Sequence, residues 1–365
     1  MMHKTSAWPL ALAYVGLIVY ASLYPFAEWR YQGIVPWAFL NSPWPRYWTG
    51  FDVASNVLGY MPLGFLLALS ALRTGRARYA VGLATLAAAV LSLAMESLQS
   101  YLPARVPSNV DLGLNVLGAW LGAMSAWALE KLGWIARWSI LRARWFVPQA
   151  RGGLVLLALW PLALLFPAAV PFGLGQVFER LEAALAEALQ DTPFLDWLPV
   201  RDIELQPLVP GTELLCVLLG LLIPSLLGFC IIRLVRHRAL FVLALFALGI
   251  SVSAFSAALS YGPQHAWAWF SLPVEVGLIT ALILALLLLW VPRRASAALV
   301  LLALGIYLSL LNQAPTSAYF GHTLAAWEQG RFIRFNGLAQ WLGWLWPYIA
   351  LVYVLTQLWG QEPKN

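Results

Sequence analysis

Ten apolar runs divide this 365-residue chain, at about 8–24, 53–72, 79–99, 111–130, 153–171, 212–233, 239–260, 273–291, 295–313 and 339–359. Most are close to the ~20 residues that a helix needs to cross a bilayer. Nothing else constrains the fold as strongly. In hydrocarbon, only helices and closed barrels satisfy their own backbone groups. A barrel would show short alternating segments, and the chain has none. Composition agrees, with 61% hydrophobic and 10% charged residues; soluble domains carry about a quarter charged residues. The sequence predicts an all-α, polytopic transmembrane helical bundle of about ten spans.

Orientation follows from Lys and Arg. Basic residues occupy alternate loops: Arg73, Arg76 and Arg78; then Lys131, Arg137, Arg142, Arg144 and Arg151; then Arg233, Arg236 and Arg238; then Arg293 and Arg294. By the positive-inside rule these loops are cytoplasmic, so both termini are cytoplasmic too. The net charge of +6 therefore reports topology, and no nucleic-acid partner is expected. The opposite loops are acidic or lack bases, as in 172–211 with Glu179, Glu182, Glu187, Asp191, Asp196, Asp202 and Glu204. They also carry tryptophans: Trp29, Trp37, Trp44, Trp48, Trp267 and Trp269. These read as an interfacial belt. The first run follows Lys4 and lacks a small-residue cleavage site, so it reads as an uncleaved span. Cys216 and Cys230 lie on one run, roughly 21 Å apart at helical rise, too far to bridge. From Gly175 to Gln190 the pattern is amphipathic, and a connector packed on the bundle is expected.

Within this frame one signature is written twice. Asp52-Val53-Ala54-Ser55-Asn56-Val57-Leu58-Gly59 recurs as Asp111-Leu112-Gly113-Leu114-Asn115-Val116-Leu117-Gly118. An acid and an amide four residues apart share a helix face. Both copies open spans that run inward. The outward span between them ends Ser92-x3-Glu96-x2-Gln99, again on one face, and Arg105 follows in the loop. Asp52, Asn56, Glu96, Gln99, Arg105, Asp111 and Asn115 are thus expected at one outer level.

Each member alone has a plain structural role. Asp52 and Asp111 suit helix starts. Asn56 and Asn115 suit helix–helix hydrogen bonds beside Gly59, Gly64, Gly118 and Gly122. Glu96 is a lone acid near the end of an apolar helix, and such residues pair or act; Arg105 is the candidate partner. Together the seven read as a site. Its acids and amides suit a divalent cation bound through oxygens. Glu96 suits general acid/base work. Arg105 suits phosphate. With no His or Cys in the set, zinc and Ser-His chemistry are not expected.

The order Asp-x3-Asn-x-Leu-x3-Pro-Leu-Gly at 52–64, then Ser92-x3-Glu96-x2-Gln99, then Arg105-x5-Asp111-x3-Asn115-x2-Gly118 resembles the VanZ-like family. The resemblance covers roughly residues 10–130. It implies a membrane protein whose name-giving relative is associated with low-level resistance to the glycopeptide teicoplanin, and it implies that the seven residues are the family pattern. It supplies no reaction. The expected domains are a VanZ-like four-helix core at 1–130, a basic cytoplasmic linker at 131–152 and a six-span extension at 153–365.

The extension offers less. Glu275 suits a helix cap, and the outer loop 314–338 holds His322, Glu328, Arg331, Arg334 and Asn336 amid aromatics. Three functions fit the whole. One is a bacterial inner-membrane protein whose outer pocket binds a membrane lipid or lipid-linked, phosphate-bearing envelope precursor. A second is an enzyme on such a lipid, with Glu96 as acid/base. The third is a transporter, which the off-centre site disfavours.

Overall fold

A computed structural model of the chain describes residues 7–24, 26, 28–44, 50–165, 168, 170–197, 208–314 and 333–359. Among them are twelve α-helices and no named strand. In chain order they are α1 (Ala7–Leu23), α2 (Gly50–Arg73), α3 (Ala80–Gln99), α4 (Asn109–Lys131), α5 (Trp134–Trp145), α6 (Arg151–Ala163), α7 (Phe178–Leu189), α8 (Pro210–Ile231), α9 (Val235–Tyr261), α10 (Leu272–Leu287), α11 (Arg293–Leu311) and α12 (Ile333–Trp359). Eight are long and apolar enough to cross a membrane. The protein is an all-α, multi-pass transmembrane bundle. The chain divides into two compact units, Met1–Ile140 and Leu141–Asn365.

In the first unit, local signals place the helix ends. Ser108 is extended and caps α4, its Oγ accepting from the Val110 and Asp111 N–H groups at 3.2 and 3.3 Å. Gly75, at φ +83°, ends α2, and the Arg76 N–H returns to the Ala71 carbonyl at 3.0 Å. α2 and α4 then pack at backbone distance. A Cβ on Gly118 would overlap the Val57 carbonyl, one on Gly122 the Met61 carbonyl, and one on Gly64 the Ala119 carbonyl. Such approach suits membrane helices, which gain little from apolar burial against lipid and associate by close packing. Ala68, Ala84, Ala123 and Ala126 continue the small-residue seam. α3 packs on both, and α1 covers α2 and α3, with the Tyr14 hydroxyl donating to the Gly59 carbonyl at 2.9 Å.

The second unit is built around α8, most of which is buried, with α6, α9, α10 and α11 against it. Here two expectations are corrected. The run 153–171 is not one helix. α6, with Pro161 inside, stops at Ala163 after 13 residues, roughly 20 Å at helical rise and short of the ~30 Å core. Val170, Phe172, Gly173, Leu174, Gly175 and Gln176 follow as buried non-helical chain. Proline and glycine in 161–175 explain the break. Such backbone survives at depth only where protein answers it. The Tyr307 hydroxyl accepts from the Leu174 N–H and donates to the Phe172 carbonyl, and Asn312 and Tyr348 donate to the Gly175 carbonyl at 3.2 and 3.0 Å. The second correction is α7. It forms within the amphipathic stretch and its start is held by Asn312, which accepts from the Val177 and Phe178 N–H groups, and by the Phe178–Tyr348 ring contact, but beyond it Leu181 and Leu185 are exposed.

α1, at 17 residues, is also shorter than the eight long spans. Trp29, Trp37, Trp44 and Trp267 are exposed, as an aromatic belt requires. Cys216 and Cys230 are free thiols. Glu275 lies in the first turn of α10. Trp48, Asp202, Glu204 and His322, Glu328 and Arg331 of the loop 314–338 lie outside the described residues, as do the side chains of Arg334 and Asn336.

Candidate functional site

The polar residues of the first unit gather at one end, where α1 and α3 finish and α2 and α4 begin. α2 supplies Asp52 in its first turn and Asn56 one turn on. α4 supplies Asp111 in its first turn and Asn115 one turn on. The Asn56 side-chain N–H donates to Asp111 Oδ1 at 3.0 Å, joining the two copies of the repeat. The Asn115 amide instead donates to Ser92 Oγ of α3 at 2.9 Å. The copies are therefore not equivalent. Gly59 faces open space while its counterpart Gly118 touches the α2 backbone.

Glu96 occupies the last turn of α3 and is only 4% exposed. Its Oε2 accepts one hydrogen bond, from the Ser108 N–H at 2.8 Å. No described basic side chain lies within 4.0 Å of it. The candidate ion pair with Arg105 does not form at that distance, although Arg105 and Asp111 are its charged neighbours. A buried carboxylate so thinly answered is costly in an apolar helix.

Arg105 and Gln99 turn toward α1 instead. Arg105 Nε donates to the Tyr24 carbonyl at 3.1 Å and Nη2 to the Ala21 carbonyl at 3.0 Å. Gln99 donates to the Ser22 carbonyl at 2.9 Å. These carbonyls end α1 and have no helical partners of their own, and a cation there complements the helix dipole. The loops close over the same end: the Arg30 N–H donates to the Tyr101 carbonyl at 3.0 Å, Gln32 to the Ser100 carbonyl at 2.8 Å and Asn109 to the Ser42 carbonyl at 2.7 Å.

Polar oxygens inside this end stand without a hydrogen bond among the described residues. The Tyr60 hydroxyl, on a side chain 6% exposed, has none, and neither has the Asn115 Oδ1, on a side chain 5% exposed. Tyr60 sits beside Ser92 and Glu96. Sequence reasoning missed Tyr60. The available signal was its place one turn after Asn56, on the same face of α2. It also missed Ser108, whose position two residues before Val110 and three before Asp111 marks an N-cap. Among the described residues no three His, Cys, Asp or Glu side chains group closely enough to hold a metal ion.

Chemically, the end combines acceptor oxygens with the hydroxyls of Tyr60, Ser92 and Ser108 and an arginine tied to backbone. Residues 7–130, about a third of the chain, match the family model described as VanZ/LLP1. That segment is VanZ-like and contains all seven pattern residues. No curated protein and no solved structure matches the chain.

Proposed function

We propose that the VanZ-like unit of this multi-pass membrane protein binds the headgroup of a membrane lipid or lipid-linked, phosphate-bearing envelope component. The binding end faces outward from a bacterial inner membrane, and both termini are cytoplasmic. The observation that carries this reading is Glu96, a buried carboxylate with a single hydrogen bond and no described cation within 4.0 Å. Ionisable groups inside membranes pair or serve a function, and among the described residues no basic side chain lies within 4.0 Å of Glu96. The outward placement rests on charge. Arg73, Arg76, Arg78 and Lys131 lie at or beyond the opposite ends of the same helices, where bases mark the cytoplasmic side.

In this reading Glu96 and Asn115 contact the ligand. Asp52, Asn56 and Asp111 form the rim between α2 and α4. Gln99 and Arg105 hold the wall by fixing the 100–108 loop to α1, and the positive charge of Arg105 favours a phosphate nearby. The seven residues then share one task without a chemical step.

Two experiments test this. Lipids extracted from the purified full-length protein and from Glu96→Gln should differ by one class, depleted several-fold in the variant; identical lipid profiles would reject the reading. Orientation is checked with single cysteines at Gln32 and Arg76 in a Cys216→Ala, Cys230→Ala background. An impermeant maleimide should label the first in intact cells and the second only after permeabilisation. The reverse pattern would place the site on the cytoplasmic face.

A further inference from the structure

The unmet groups around Glu96 also specify what part of a ligand enters. Building on the binding reading above, we infer that the cluster of Glu96, Tyr60 and Asn115 receives a primary ammonium group, the terminal amine of a zwitterionic headgroup.

The inference rests on three observations. Glu96 offers a buried carboxylate whose one hydrogen bond among the described residues comes from the Ser108 N–H. The Tyr60 hydroxyl and Asn115 Oδ1 are buried without partners. Ser92 is the nearest side-chain partner on offer to the Tyr60 hydroxyl, with Glu96 close by, and Asn115 is bonded to the same Ser92. The three side chains come from three helices, Tyr60 and Asn115 both lying against the fully buried Ser92 and Glu96 one turn on along the same face of α3. A primary ammonium carries three N–H donors and one positive charge. It would answer one oxygen with each donor and neutralise the carboxylate with its charge. A phosphate fits this position poorly, since Glu96 and nearby Asp111 would repel it. A sugar hydroxyl supplies one donor and no charge. A trimethylated ammonium supplies the charge without a donor, so hydrogen bonding separates it from the primary amine.

The layout also accommodates the rest of such a headgroup. Glu96 lies in the last turn of α3, Asn115 between one and two turns into α4 and Tyr60 between two and three turns into α2, while Arg105 sits in the loop after α3. A zwitterion placed amine-first keeps its phosphate on the Arg105 side. Amine and phosphate then meet opposite charges along one axis.

The test uses the full-length protein in nanodiscs of fixed acyl composition, with native mass spectrometry of retained lipid. The probes are phosphatidylethanolamine, phosphatidylcholine and phosphatidylglycerol. Phosphatidylethanolamine should be retained at least about tenfold over phosphatidylcholine, because charge-assisted hydrogen bonds are lost on methylation. Glu96→Gln should abolish that preference. If Glu96→Gln fails to fold, Tyr60→Phe decides, since it keeps the ring and should reduce the preference several-fold. Equal retention of phosphatidylethanolamine and phosphatidylcholine overturns the inference. Preferential retention of phosphatidylglycerol, sensitive to these variants, also overturns it while leaving the binding reading intact. No headgroup preference and no effect of either variant overturns both.

Discussion

Tyr60 and Glu96 show how a membrane protein can hold polar groups that its own fold does not satisfy. A buried hydroxyl without a partner lowers stability by about 1–3 kcal/mol relative to a paired one. Removing the hydroxyl while keeping the ring should therefore not destabilise the protein. Tyr60→Phe is expected to raise the thermal unfolding midpoint, or leave it unchanged, in lipid-free detergent, as checked by a tryptophan-fluorescence melt. A drop of several degrees would mean that the hydroxyl has a structural partner. By contrast, Arg105 is engaged, with donors on the Tyr24 and Ala21 carbonyls. At this scale the sequence exposed types and periodicity. The i, i+4, i+7 face of Ser92, Glu96 and Gln99 and the Asp-x3-Asn repeat were both readable. Which partner each takes was not, because partner choice depends on helix rotation and loop path. Glu96 meets the Ser108 N–H rather than Arg105, and Gln99 reaches α1 rather than its neighbours.

At the level of helices, the same glycine-rich repeat has two outcomes. Gly118 and Gly122 of α4 lie against the α2 backbone, while a Cβ added to Gly59 of α2 would meet nothing within 4 Å. Gly122→Ala should force α2 and α4 apart, costing about 1–3 kcal/mol as an overpacked contact and loosening the rim formed by Asn56 and Asp111. Gly59→Ala should be neutral or slightly stabilising, since alanine favours helix by up to about 1 kcal/mol. Denaturation of the two variants side by side checks this; equal loss in both would mean that the seam is not glycine-dependent. The broken span of the second unit follows a similar logic. Pro347 in α12 has no N–H for the Gly343 carbonyl, and the Gly175 N–H fills that place at 2.7 Å. Gly175 adopts φ +95°, and a Cβ there would lie 2.6 Å from Leu308 Cδ2 and 2.9 Å from Pro347 Cγ. Hydropathy alone read 153–171 as one helix because buried extended chain and buried helix are equally apolar. The prolines and glycines carried the information, but only a partner such as Pro347 shows what the break accomplishes.

For the whole molecule, length and hydropathy were enough to specify a multi-pass helical bundle, because the bilayer leaves so few alternatives. The VanZ-like segment was legible from its motifs, whereas hydropathy alone does not place the boundary between the two compact units, since the spans on either side are equally apolar. In the first unit, the end where α1 and α3 finish and α2 and α4 begin is the proposed headgroup site. The most direct test is a high-resolution density map of the full-length protein in nanodiscs made with its native lipids. The account predicts non-protein density between α2, α3 and α4, within hydrogen-bond distance of Glu96, Tyr60 and Asn115, and missing from the Glu96→Gln map. A map in which those three groups close on one another, with the same density pattern in both proteins, would contradict it.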